Sequence, residues 1–208
     1  MNNEPAKKSH SLLALGDSYT IGEQVENRLN FPNQLVGLLN QKGFDFSLPE
    51  IVAKTGWTTD ELQGAIKEAN LDKNYDFVTL LIGVNNQYRG RPVNDYTPEF
   101  EALLEQAIQF AGNHTDHVIV LSIPDWGVTP FAGVQGRDRQ QVAKEIDTYN
   151  EANRRIADRY HVHYIDITAW TREAATDHSL LATDGLHPSA KEYKRWAEKI
   201  TAWIDTVE

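Results

Sequence analysis

Phe77-Val78-Thr79-Leu80-Leu81-Ile82 is apolar at every position but one, and Gly83-Val84-Asn85-Asn86 follows it directly. Six residues suit a strand. The lack of polar alternation predicts burial on both faces, as in a parallel sheet covered by helices. Working outward, residues 12–15 (Leu-Leu-Ala-Leu) form a shorter apolar run before Gly16, and residues 50–53 suit a second strand. Residues 118–121 suit a fourth strand and residues 162–167 a fifth.

Helical patterns separate these runs. Leu35, Leu38 and Leu39 share one face of a segment that Gly43 follows, and Thr58 with Glu61 makes a capping-box pattern. Thr97 followed by Pro98 predicts a helix start, since proline is tolerated at the first helical position. Phe100, Leu103, Leu104, Ala107 and Ile108 then recur at helical spacing. A further helix is expected over residues 138–160, and Ser189 with Glu192 predicts a second capping box before the last one. Strands alternating with helices imply right-handed crossovers and a three-layer α/β sandwich around a central parallel sheet of about five strands. With 208 residues and no composition break, residues 11–208 read as one domain, preceded by a flexible segment over residues 1–10.

The net charge of -10 argues against nucleic acid or an anionic membrane as partner, because both need clustered Lys and Arg. There is no cysteine, so disulfides, thiolate metal sites and a cysteine nucleophile are excluded. No apolar run approaches the length of a membrane span, and Met1 to His10 lacks the apolar core of a signal peptide. The chain as given therefore reads as cytoplasmic, with a removed export signal left open and no stable membrane association.

Sites in a parallel sheet form at the carboxyl ends of the strands. Four loops leaving such ends carry unusual polar residues: Ser18 after the first run, Gly56 after the second, Asn85 after the third, and Asp184-Gly185-Leu186-His187 before the last helix. A serine, a base and a carboxylate are the residue types that nucleophilic acyl transfer needs. His187 would take the proton from Ser18, and Asp184 would orient the ring. The N–H groups of Ser18 and Gly56 and the Asn85 amide would serve as oxyanion donors.

Gly16-Asp17-Ser18, a lone Gly56, Gly83-x-Asn85 and Asp184-x-x-His187, in that order, resemble the four blocks of the SGNH, or GDSL, hydrolases. The resemblance runs from about residue 12 to residue 190. It implies a flavodoxin-like fold and the roles just given, with no metal and no cofactor. No Gly-x-Ser-x-Gly occurs, so the nucleophile elbow of ordinary α/β-hydrolases is absent. Asn86 stands where the family usually has aspartate, and Tyr19 where its name implies leucine.

The function so implied is hydrolysis of a small-molecule carboxylic ester, with short-chain acyl or acetyl esters favoured by connecting loops of moderate length. Lysophospholipase or thioesterase activity, and a non-catalytic carbohydrate- or ligand-binding module, are the alternatives. Trp57 and Trp126 each follow a strand end, where core packing and lining of an acyl or sugar pocket are equal readings. Arg89 and Arg91 would pair with surface carboxylates or receive a substrate carboxylate or phosphate. His161-x-His163, on the expected fifth strand, would share one face. With no third ligand near, packing is favoured over zinc.

Overall fold

The computed structural model describes residues 9–71 and 74–207. Most of the expected flexible segment, residues 1–8, therefore lies outside the described residues, while His10 pairs with Phe46 in a parallel bridge. The five strands are β1 (Leu12–Asp17), β2 (Glu50–Lys54), β3 (Phe77–Leu81), β4 (Val118–Leu121) and β5 (His163–Ile165). All pair in parallel, in the order β2-β1-β3-β4-β5. Every residue of β1 and β3 is buried, as the lack of alternation predicts.

The order reverses between β1 and β3, so crossovers run outward in both directions and helices fall on both faces. On one face α2 (Phe31–Gln41) packs against α9 (Ala190–Val207); on the other, α5 (Val93–Phe110) contacts α3 (Thr59–Ala69) and α7 (Arg139–Tyr160). Helix α5 buries Tyr96, Phe100, Leu103, Leu104, Ala107 and Ile108. At roughly 1.5–3 kcal/mol per large apolar side chain, that stripe outweighs any local propensity and holds the helix to the sheet.

Three local expectations need correcting. Helix α5 starts at Val93, four residues before Thr97, and Pro98 lies inside it. The Pro92 carbonyl accepts from the N–H groups of Asp95 and Tyr96, opening the helix early, and the Thr97 hydroxyl donates to the Val93 carbonyl at 2.6 Å. Strand β5 has three residues rather than six, because the Ser122 hydroxyl accepts from the N–H groups of Ile167 and Thr168 at 2.8 and 3.0 Å. Those donors are diverted from any ladder. At the other end of β5 the Val162 N–H bonds to the Ala157 carbonyl, so His161 sits off the strand as the left-handed cap of α7, while His163 stacks on Trp203 with centroids 4.2 Å apart.

The second capping box is half made. Ser189 Oγ accepts from the Glu192 N–H at 3.4 Å, but the Glu192 side chain turns inward to accept from Trp196 Nε1 and Arg195 Nη1, each at 2.8 Å. Burial raises its carboxyl above the ordinary value, and those two donors partly offset the shift. The first box closes, with the Glu61 carboxylate accepting from Thr58 N–H and hydroxyl, both at 2.9 Å.

Candidate active site

The reversal of strand order opens a crevice at the carboxyl ends of β1 and β3, and the singled-out residues converge on it. Ser18 is the first residue of the short helix α1 (Ser18–Ile21), immediately after β1. Asp17 caps that helix by accepting from the Tyr19 N–H at 3.0 Å. Gly16 is required by close approach, since a Cβ there would lie 2.1 Å from Thr20 Oγ1 and 2.5 Å from the Leu81 carbonyl. The nucleophile turn is thus pressed against the end of β3. Burial pushes the Asp17 carboxyl up to about 7, against the pull of the backbone N–H of Tyr19.

Asp184 and His187 reach Ser18 from the loop before α9. His187 Nε2 lies 3.0 Å from Ser18 Oγ, and His187 Nδ1 lies 2.6 Å from Asp184 Oδ2. Asp184 Oδ1 accepts from the N–H groups of Leu186 and His187, both at 3.0 Å, which makes the loop a self-bonded turn. Partial burial works against its charge, yet the bonds from the His187 ring and the two N–H groups win and hold the Asp184 carboxyl below its usual value. A carboxylate on Nδ1 puts the ring proton there and leaves Nε2 free to accept from the Ser18 hydroxyl. Ser18 and His187 are both buried, at 4% and 7% exposure, which limits competition from water.

The remaining predicted residues are placed around this dyad. Gly56, after β2, has φ +84, a left-handed value that costs a side-chain-bearing residue about 1–2 kcal/mol. Asn85 lies in α4 (Val84–Tyr88), after β3, and its Nδ2 donates to the Trp57 carbonyl at 2.9 Å. That bond uses one amide hydrogen and aims the other away from Trp57. Gly56, Asn85, Ser18 and His187 all line a cleft of about 170 Å³. Asn86 is fully buried, and it accepts from the Thr59 N–H at 3.2 Å and donates to the Thr59 hydroxyl at 2.7 Å. It ties α4 to α3 and stays out of the cleft.

A model of the GDSL-like lipase/acylhydrolase family matches residues 14–195, a span that includes all four sequence blocks. The chain belongs to this family. No curated protein sequence gives a significant match. Solved structures are similar at low identity. The lipase/acylhydrolase from Enterococcus faecalis superposes with a TM-score of 0.73 at 17% identity, covering 95% of this chain and 96% of that one. The acetylxylan esterase Axe2 from Geobacillus stearothermophilus gives 0.71 at 19% identity, covering 94% of each chain. The psychrotrophic esterase EstA from Pseudoalteromonas sp. gives 0.68 at 15% identity, covering 95% of this chain and 98% of that one. At such identities the likeness establishes the GDSL hydrolase fold.

Within that fold, two of the three candidate substrate-binding side chains take the other reading open to them, packing for Trp57 and a carboxylate pair for Arg89. Trp57 is not among the residues lining the cleft, and it packs against the core while its carbonyl holds Asn85. Arg89 donates through Nη2 to the Gly56 carbonyl at 2.6 Å and pairs with Glu61 at 3.4 Å, so it braces the Gly56 turn. Arg91 pairs with Asp60 at 2.6 Å and holds that carboxyl down at about 2. Trp126 does line the cleft, and its Nε1 donates to Gln87 Oε1 at 2.7 Å. Sequence reasoning missed Tyr19, Val84, Tyr88, Phe131 and Leu186, which complete the apolar lining. Three of the five, Tyr19, Val84 and Leu186, directly adjoin a motif residue, which is the signal that was there to use. Among the described residues, no group of three or more His, Asp or Glu side chains is arranged to hold a metal ion. No helix among them is long and apolar enough to cross a membrane.

Proposed function

We propose that this GDSL-family hydrolase is a serine esterase that cleaves short-chain or acetyl carboxylic esters of small molecules through an acyl-serine intermediate. The observation that carries this reading is the continuous line from Asp184 Oδ2 through His187 to Ser18 Oγ, at 2.6 and 3.0 Å, opening on an apolar cleft. Ser18 Oγ attacks the ester carbonyl while His187 Nε2 takes its proton. The carbonyl oxygen becomes an oxyanion facing the N–H groups of Ser18 and Gly56 and the free amide hydrogen of Asn85. Collapse breaks the bond to the alcohol, which leaves with the proton from His187. Water then attacks the acyl-serine, giving its proton to His187, and the acid departs as Ser18 regains a proton.

Asp184 keeps its charge throughout, since its lowered carboxyl favours an imidazolium beside it. Two of the similar structures are themselves named esterases, which supports an ester as the substrate class. The test is turnover of p-nitrophenyl acetate by wild type and Ser18→Ala, with circular dichroism confirming that both fold. Loss of activity in the folded variant is expected. An active variant would exclude Ser18 as nucleophile, and an inactive wild type across a panel of esters and sugar acetates would favour a binding module.

A further inference from the structure

The apolar end of the cleft is built from Tyr19, Trp126 and Leu186 together with Tyr88 and Phe131. The first three also line a second, narrower crevice of about 20 Å³, room for about one water, whose lining includes none of the oxyanion residues. They are a partition between two spaces. We propose that this partition ends the acyl pocket and that Leu186 sets the length of acyl chain accepted, an inference that rests on the serine-esterase reading.

Two members of the partition are fixed. Trp126 is 2% exposed, bonded through Nε1 to Gln87 at 2.7 Å, and met edge-on by Tyr88 at 5.3 Å. Tyr19 is 3% exposed with its ring 5.2 Å from that of His187. Leu186 is only partly buried, and its place is held by backbone, through the N–H bond to Asp184 Oδ1 at 3.0 Å. Shortening its side chain therefore leaves the Asp184–His187 turn bonded as before.

The crevice behind suits hydrocarbon. Its acidic groups are already engaged, Asp125 with Arg172 Nε at 2.9 Å and Glu192 with Trp196 Nε1 at 2.8 Å. Both threonine hydroxyls are too, Thr129 donating to the Trp126 carbonyl at 2.6 Å and Thr171 to the Thr168 carbonyl at 2.8 Å. Ala174 and Leu180 supply apolar surface beyond them. A methylene chain entering the space that a shortened Leu186 gives up leaves none of these four groups newly unpaired, so its transfer from water is favourable.

The experiment is kcat/KM across p-nitrophenyl esters from acetyl to dodecanoyl. Wild type is expected to peak at short chains and fall once the chain meets the wall. Leu186→Ala removes three side-chain carbons and is expected to move the maximum by a similar length. At roughly fourfold per methylene buried, the gain for the longer ester is on the order of 50-fold. Adding Ala174→Leu fills the crevice from its opposite side and should reverse that gain.

Leu186→Val and Ala174→Val serve as milder versions if the larger changes impair folding, with intermediate shifts expected. An unchanged chain-length profile in Leu186→Ala would overturn the proposal, as would a shift that Ala174→Leu leaves intact, or a wild-type maximum at long chains. Failure of wild type to hydrolyse every ester in the series would instead bring down the esterase reading and this inference with it.

Discussion

Asp184 holds His187 at two points, with Oδ2 on the ring at 2.6 Å and Oδ1 on the backbone N–H at 3.0 Å. One carboxylate thus fixes both the ring tautomer and the loop that carries the ring. Asp184→Asn keeps the backbone acceptor but offers an amide donor to Nδ1, which favours the wrong tautomer. Steady-state kinetics should show kcat falling about 10³- to 10⁴-fold with little loss of folding, a smaller loss than for Ser18→Ala or His187→Ala.

Neighbouring asparagines should separate cleanly. Asn85→Ala removes an oxyanion donor and should lower kcat about 100- to 1000-fold, while losing its part-buried bond to the Trp57 carbonyl costs less stability than the change at Asn86. Asn86→Ala instead leaves the buried Thr59 N–H short of its acceptor, at a cost of about 1–3 kcal/mol seen in denaturant unfolding. A matching pair of effects would mean that the two side chains do not divide chemistry and structure.

Arg89 braces the Gly56 carbonyl at 2.6 Å, so Arg89→Gln should loosen the turn that presents the Gly56 N–H. The guanidinium is half exposed, which limits the loss to about three- to tenfold in kcat. Neutral and anionic esters should suffer equally. A selective loss on anionic esters would return Arg89 to substrate binding.

Asp17 gives a stability signature. Its folded carboxyl titrates at about 7 against an ordinary 3.8, so between those values the folded state holds more proton than the unfolded one. Stability contributed by the protonated form is complete below about pH 4 and is lost as pH rises through 7, with a slope approaching 1.4 kcal/mol per pH unit. Asp17→Asn retains the acceptor for Tyr19 N–H and should flatten that slope in thermal unfolding from pH 4 to 8.

What was legible in the sequence followed from local physics. Strand β3 has no polar alternation and must be buried on both faces. Three of the four site blocks follow strand ends, because parallel sheets expose those ends together, and the fourth lies in the turn before α9. What was not legible depended on distant partners. Ser122 captures donors that would have prolonged β5, and Trp196 with Arg195 draws Glu192 away from its capping role. Arg89 and Trp57 each left two readings open, and the partners that decide between them, Glu61 with the Gly56 carbonyl and Asn85, are supplied only by tertiary structure.

Ser18 and the base that faces it are separated by 169 positions in the chain. The nucleophile, Gly56 and Asn85 follow three adjacent strands assembled from the first half of the sequence, whereas His187 is held by the turn before α9. During synthesis from the amino terminus, the serine hydroxyl therefore has no proton acceptor until that last turn closes over it. A copy that stops short of residue 187 carries Ser18, Gly56 and Asn85 without the imidazole that faces them.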